Sequence, residues 1–174
     1  MKTPFLVLLG NVILWAIVAQ LDHYLATWDV SVFAGGLCVA FASLRLPPRE
    51  GYRALLLTGL WFDAASPVPF GLHALLFLFA HAVINSFRTR LARDDTLVGL
   101  LVAAIANLGL IVALTGGLLH RNPALWELWP RLSVDSLISF CAVILIGPWY
   151  FAMQEKLLAF FGTFLRHETR SSFH

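Results

Sequence analysis

Charge in this chain is confined almost wholly to the gaps between long apolar runs, and that arrangement limits the possible folds more than any other feature. Twelve basic and ten acidic residues occur among 174, while 59% are apolar. Soluble domains have an apolar content of about 45–50%. The mean hydropathy is +0.79. Apolar runs cover about 4–21, 30–46, 51–65, 70–87, 97–119 and 133–153. A bilayer excludes charge and leaves backbone polar groups to be satisfied within the spanning segment. The runs therefore predict an all-α polytopic membrane protein with six transmembrane helices in a single integral membrane domain, 1–174. The third run is short against the roughly 20 residues of an ordinary crossing, so it needs burial by neighbours or local thinning of the membrane. No hydrophilic stretch approaches the roughly 50 residues of a folded soluble domain.

Lysine and arginine supply an orientation, because cytoplasmic loops are enriched in them. With six crossings, Lys2, Arg45, Arg49, Arg53, Arg88, Arg90, Arg93, Lys156, Arg166 and Arg170 share the side of the amino terminus, and only Arg121 and Arg131 lie opposite. Both termini are thus expected in the cytoplasm. Lys2 and the first run resemble a signal peptide, but the repeated spans that follow make a first transmembrane helix the better reading. Basic residues arranged by topology do not form a nucleic-acid surface, so no nucleic acid is expected as a partner; the lipid bilayer is.

Trp28, Trp126 and Trp129 fall at the outer boundary of this frame and Trp149 and Tyr150 at the inner one, as membrane-interface anchors do. Pro47 and Pro48 stop the second helix, having no amide hydrogen to donate. Pro148 predicts a kink in the sixth helix. Beyond it Leu157, Phe161, Phe164 and Leu165 share one face and predict an interfacial helix over about 154–166. Cys38 and Cys141 lack the spacing of a disulfide framework or a zinc site and read as packing residues.

The most informative stretch runs from Arg49 to Arg93, two apolar runs joined by a turn containing Ser66, Pro67, Pro69 and Gly71. Asp63 stands near the far end of the first run. Three roles are open to it: capping the next helix across the turn, pairing with a partner protein, or binding a proton or ligand. His73 and His81 lie eight residues apart and share a helix face with Phe77, too far apart for one metal. His81 and Asn107 each read as a contact to a neighbouring helix. Gly109, Ala113 and Gly117 would allow a helix to approach closely. Asp22, Asp29, Asp63 and Asp135 are placed to form an acidic outer rim. No nucleophile elbow, phosphate loop, dinucleotide fingerprint or HExxH occurs, so no enzyme activity, catalytic residue, cofactor or metal is expected.

GYRALLLTGLWFDAASPVPFGLHAL resembles the signature of the MreD family of rod shape-determining membrane proteins. That signature has a Gly-rich stretch ending in Gly-Leu-x-x-Asp, a short turn, and a Gly that opens the next helix. The corresponding residues are Gly51, Gly59, Leu60, Asp63 and Gly71, with His73 just beyond. Trp28-Asp29-Val30 is similar to the family's Pro-Asp-Leu, with Trp28 replacing Pro, and Leu46-Pro47-Pro48-Arg49 to its basic turn; Leu55 stands where a Gly-Phe pair would begin. The resemblance implies a non-enzymatic scaffold subunit of the cell-elongation machinery in the bacterial inner membrane. It would bind an MreC-like bitopic partner, be linked to RodA and a class B penicillin-binding protein, and be tied indirectly to MreB. It also implies a fold similar to the substrate-binding subunits of energy-coupling-factor transporters. That supplies the rival reading, a vitamin-type carrier whose pocket is lined by Asp63, His73, Trp61 and Asp135.

Overall fold

The computed structural model describes residues 2–88, 95–119 and 129–161, and every regular element among them is helical. Six α-helices follow in order: α1 (Lys2–Leu25), α2 (Gly35–Arg45), α3 (Pro48–Ala65), α4 (Leu72–Phe87), α5 (Thr96–Leu119) and α6 (Trp129–Phe160), with a 3-10 turn at Ala26–Trp28. The segments Lys2–Trp28, Thr96–Gly117 and Pro130–Phe160 are long and apolar enough to cross a membrane, while Gly35–Arg45 and Leu72–Phe87 are shorter apolar helices. This is an all-α membrane protein.

The helices form a ring around one of their number. α1 packs on α3, α3 on α4, α4 on α5, α5 on α6, and α6 back on α1, while α2 touches α3, α4, α5 and α6 from inside. Gly35 through Leu44 are all buried. Composition explains the choice of axis, since Gly35, Gly36, Cys38, Ala40, Ala42 and Ser43 keep α2 thin enough to be enclosed. At Gly36 a Cβ would lie 2.4 Å from the Ala103 carbonyl oxygen and 2.5 Å from the Asn107 nitrogen, so α2 and α5 meet nearly backbone to backbone.

The axis is not the single helix over 30–46 that the apolar run predicts. Residues 30–34 are non-helical, and α2 begins at Gly35. Eleven helical residues extend only about 16 Å, half the hydrocarbon thickness. The preceding segment acts as a strut that continues the axis. Sequence could not show this, because Val30, Ser31, Val32 and Phe33 are as apolar on average as a helix would be. Non-helical backbone at membrane depth survives only when protein satisfies it, and the partners here lie far along the chain.

The sixth helix also differs from expectation. α6 passes through Pro148 and continues to Phe160 as one element, so there is no separate interfacial helix starting at 154. The lost amide of Pro148 removes one helical bond, which the turns on either side carry without ending the helix. Residues 162–166, with Phe164, Leu165 and Arg166, lie outside the described residues, as do Arg90, Arg93, Arg121, Trp126, Arg170 and the side chain of Trp129. Tyr150 is fully buried and not an interface anchor, whereas Trp28 and Trp149 are exposed. Cys38 is a buried packing residue, but Cys141 is exposed. A Cβ on Gly109 or Gly117 would meet nothing within 4 Å. The small-residue stripe therefore faces away from the bundle, and Gly36 makes the close approach to α5 instead.

Candidate functional site

The α3–α4 hairpin is set by three residues. Gly59 brings α3 against α4 so closely that a Cβ would fall 2.3 Å from Ala74 Cα. Gly71 turns the chain into α4 with φ +95°, a left-handed conformation that glycine adopts without a Cβ clash. Asp63, buried at the end of α3, then receives the amino terminus of α4. Its Oδ1 accepts the His73 amide at 2.8 Å and its Oδ2 the Ala74 amide at 3.2 Å. These are donors a helix start leaves unpaired. The same Oδ1 lies 3.0 Å from His73 Nδ1. Since a carboxylate only accepts, Nδ1 carries the proton.

His73 is enclosed by aromatic rings. Phe33 stacks on it with centroids 6.3 Å apart, and Phe62 and Phe77 lie at 5.8 and 6.1 Å. Phe33 belongs to the strut, so hairpin and axis meet at this histidine. Eight residues on, His81 is buried just past the middle of α4. Its Nδ1 lies 2.8 Å from Ser43 Oγ on α2, and its ring packs edge-on to Tyr52 at 4.6 Å. Gly51 makes room for it, since a Cβ there would be 2.7 Å from His81 Cε1. Two of the hairpin glycines, Gly51 and Gly59, are thus sites of close packing.

The strut is held by side chains from three helices. Asp135 of α6 accepts both the Ser31 amide, at 3.0 Å, and the Ser31 hydroxyl, at 3.2 Å. Asp22 of α1 accepts the Val32 amide at 2.7 Å, and Ser139 of α6 accepts that of Phe33 at 3.0 Å. Asn107 of α5 completes the set: its Oδ1 accepts the Gly36 amide at 3.0 Å, and its Nδ2 donates to the Phe33 carbonyl at 2.8 Å. Asn107 therefore caps α2, a more specific task than the helix contact expected of it. Asp29 stands apart on the surface, 3.4 Å from Arg131. The four carboxylates of the acidic rim are accordingly divided among three separate jobs.

Between α1, the strut and the hairpin lies a cavity of about 150 Å³ lined by Trp15, Asp22, Phe33, Phe62, Ser66 and His73, among others. Of the four residues expected to line a carrier pocket, only His73 does so. Asp63 and Asp135 are spent on backbone amides, and Trp61 lies partly exposed, edge-on to Trp15. Ser66 shares the cavity with His73 but makes no hydrogen bond to the imidazole, whose Nδ1 is oriented by Asp63.

One polar cluster is absent from the sequence reading. Asn11 of α1 donates to Thr58 of α3 at 2.7 Å and accepts from the Tyr150 hydroxyl and, at 2.9 Å, from Gln154 of α6. Gln154 also donates to the Val7 carbonyl at 3.2 Å. All four side chains are completely buried and bind α1, α3 and α6 together. The available signal was Asn11 alone inside FLVLLGNVILW, since a lone amide in an apolar run needs a partner.

Comparison with family models, with curated proteins and with solved structures finds no match to this chain.

Proposed function

We propose that this protein is a non-enzymatic scaffold subunit of the bacterial cell-elongation complex, an MreD-type protein that crosses the plasma membrane six times with both termini in the cytoplasm. It holds the transmembrane segment of an MreC-like bitopic protein. Through that partner it supports RodA and a class B penicillin-binding protein, and it is coupled indirectly to MreB. The orientation rests on the distribution of lysine and arginine.

The observation that carries the reading is the hairpin. The residues that resemble the MreD signature share one structural purpose there: Gly51 and Gly59 admit close neighbours, Asp63 caps α4, and Gly71 makes the turn. The rigid element so formed exposes Leu75, Phe79 and Val83 at four-residue spacing on α4, with Leu56, Trp61 and Phe70 also exposed on α3 and the turn. Such a surface suits a helix lying alongside in the membrane, where association depends on packing. The vitamin-carrier alternative has less support, because Asp63 and Asp135 are engaged by backbone amides and the cavity beside His73, about 150 Å³, is smaller than the roughly 300–1,000 Å³ of pockets that enclose drug-sized ligands.

Affinity purification in mild detergent, with mass spectrometry of retained proteins and small molecules, tests the reading. A stoichiometric bitopic protein with a periplasmic coiled coil is expected, and its recovery should fall about tenfold in a Leu75→Ala/Phe79→Ala variant, a loss of about 1.4 kcal/mol. Retention of a vitamin together with ATPase subunits would replace the scaffold reading with the carrier.

A further inference from the structure

The cavity beside His73 holds hydrogen-bonding capacity that the fold leaves unused. His73 is only 4% exposed, its Nδ1 is committed to Asp63, and its Nε2 has no protein partner among the described residues. With Nδ1 donating to Asp63, the uncharged form of the ring offers the lone pair of Nε2 as an acceptor. Asp22 gives Oδ1 to the Val32 amide, while its Oδ2 has no protein donor among the described residues. Among the described residues no lysine or arginine lines the cavity, which Trp15, Phe33 and Phe62 supply with aromatic rings. Two acceptors, one of them anionic, thus border a small aromatic space.

We propose that this cavity binds a primary ammonium group, carried either by a small free amine or by the ethanolamine headgroup of a lipid. The Asp22 carboxylate is its counter-ion, Nε2 of His73 accepts one of its N–H bonds, and the rings of Trp15, Phe33 and Phe62 surround the charge as cation-binding aromatics do. The inference goes beyond the scaffold reading and stands without it. A primary ammonium fits better than a quaternary one because it has hydrogens to give both acceptors. A bare metal ion fits less well, since no group of three or more His, Cys, Asp or Glu among the described residues is placed to hold one. About 150 Å³ admits an amine of a few carbons.

The test uses the full chain in nanodiscs of phosphatidylglycerol, titrated with ethanolamine hydrochloride and followed by saturation-transfer difference NMR. Ethylene glycol serves as the neutral analogue. Saturable binding of ethanolammonium is expected, with ethylene glycol weaker by about tenfold or more for want of the charge. Asp22→Asn retains an oxygen for Val32 and should weaken binding by a similar factor. Ala19→Leu fills the cavity from α1 without touching a hydrogen bond and should abolish binding. Nanodiscs containing phosphatidylethanolamine separate the two sources: competition identifies the headgroup, and undiminished ethanolammonium binding identifies a free amine. The proposal is overturned if ethanolammonium does not saturate, if ethylene glycol binds equally well, or if binding survives in both variants. Should Asp22→Asn fail to fold, Ala19→Leu decides.

Discussion

Two helices begin near one another in this bundle, α2 and α4, and they are capped in contrasting ways. α4 starts under Asp63, ten positions from the His73 amide it accepts. α2 starts under Asn107, 71 positions from the Gly36 amide, after a strut tied to Asp135 and Ser139 at separations of 104 and 106. The first cap needs only α3 and α4. The second exists only after α5 and α6 have arrived, so the strut waits on closure of the ring. Loop-closure entropy favours the local contact, and the hairpin is expected to be the earlier and more autonomous unit.

The sharpest way to break this comparison is to remove the distant cap. Asn107→Leu is similar in size, but it leaves the Gly36 amide and the Phe33 carbonyl without their partner in the interior. Two buried backbone groups left unpaired should cost about 2–4 kcal/mol. SDS-driven unfolding in mixed micelles, followed by circular dichroism, measures the loss. A cost near that of an average interhelical hydrogen bond in a bilayer, roughly 0.6 kcal/mol, would mean that the strut does not depend on Asn107.

Asp63→Ala comes next and should be smaller. It frees the His73 and Ala74 amides and the His73 ring, but these groups lie beside a cavity whose lining includes His73, where water can replace the lost acceptor. A helix cap is ordinarily worth about 0.5–2 kcal/mol, and a value of about 1–2 kcal/mol is expected in the same assay. If Asp63→Ala proved costlier than Asn107→Leu, the hairpin and not the strut would be the element on which the ring depends.

The contrast also explains what the sequence made legible. Asp63, the Pro-rich turn and Gly71 lie within nine positions of one another, and each has a local physical meaning, so the hairpin and the possibility of a cap could be read directly. The all-α membrane class followed from the spacing of charge. The break in the second apolar run could not be read, because what permits residues 30–34 to leave the helix is four side chains on α1, α5 and α6. Asp22 and Asp135 could be read only as part of an acidic outer rim for the same reason. Tyr150 was misplaced because an aromatic late in a span suits an interface as well as a core, and only Asn11 and Gln154 on other turns of the bundle settle it.

The smallest expected effect concerns whether the two caps are independent. Phe33 links them: its carbonyl accepts from Asn107 at 2.8 Å, while its ring stacks on His73, the residue Asp63 holds. Releasing the strut should therefore loosen the packing that keeps His73 against Asp63, so part of the hairpin cap is already lost when Asn107 is replaced. A double-mutant cycle of Asn107→Leu with Asp63→Ala should show the pair costing less than the sum of the singles, by about 0.5–1 kcal/mol, the lower part of the range for coupled neighbours. Repeating the cycle in a Phe33→Ala background should bring the coupling close to zero. Strict additivity in the wild-type background would instead mean that hairpin and strut are separate devices, with Phe33 filling space between them and transmitting nothing.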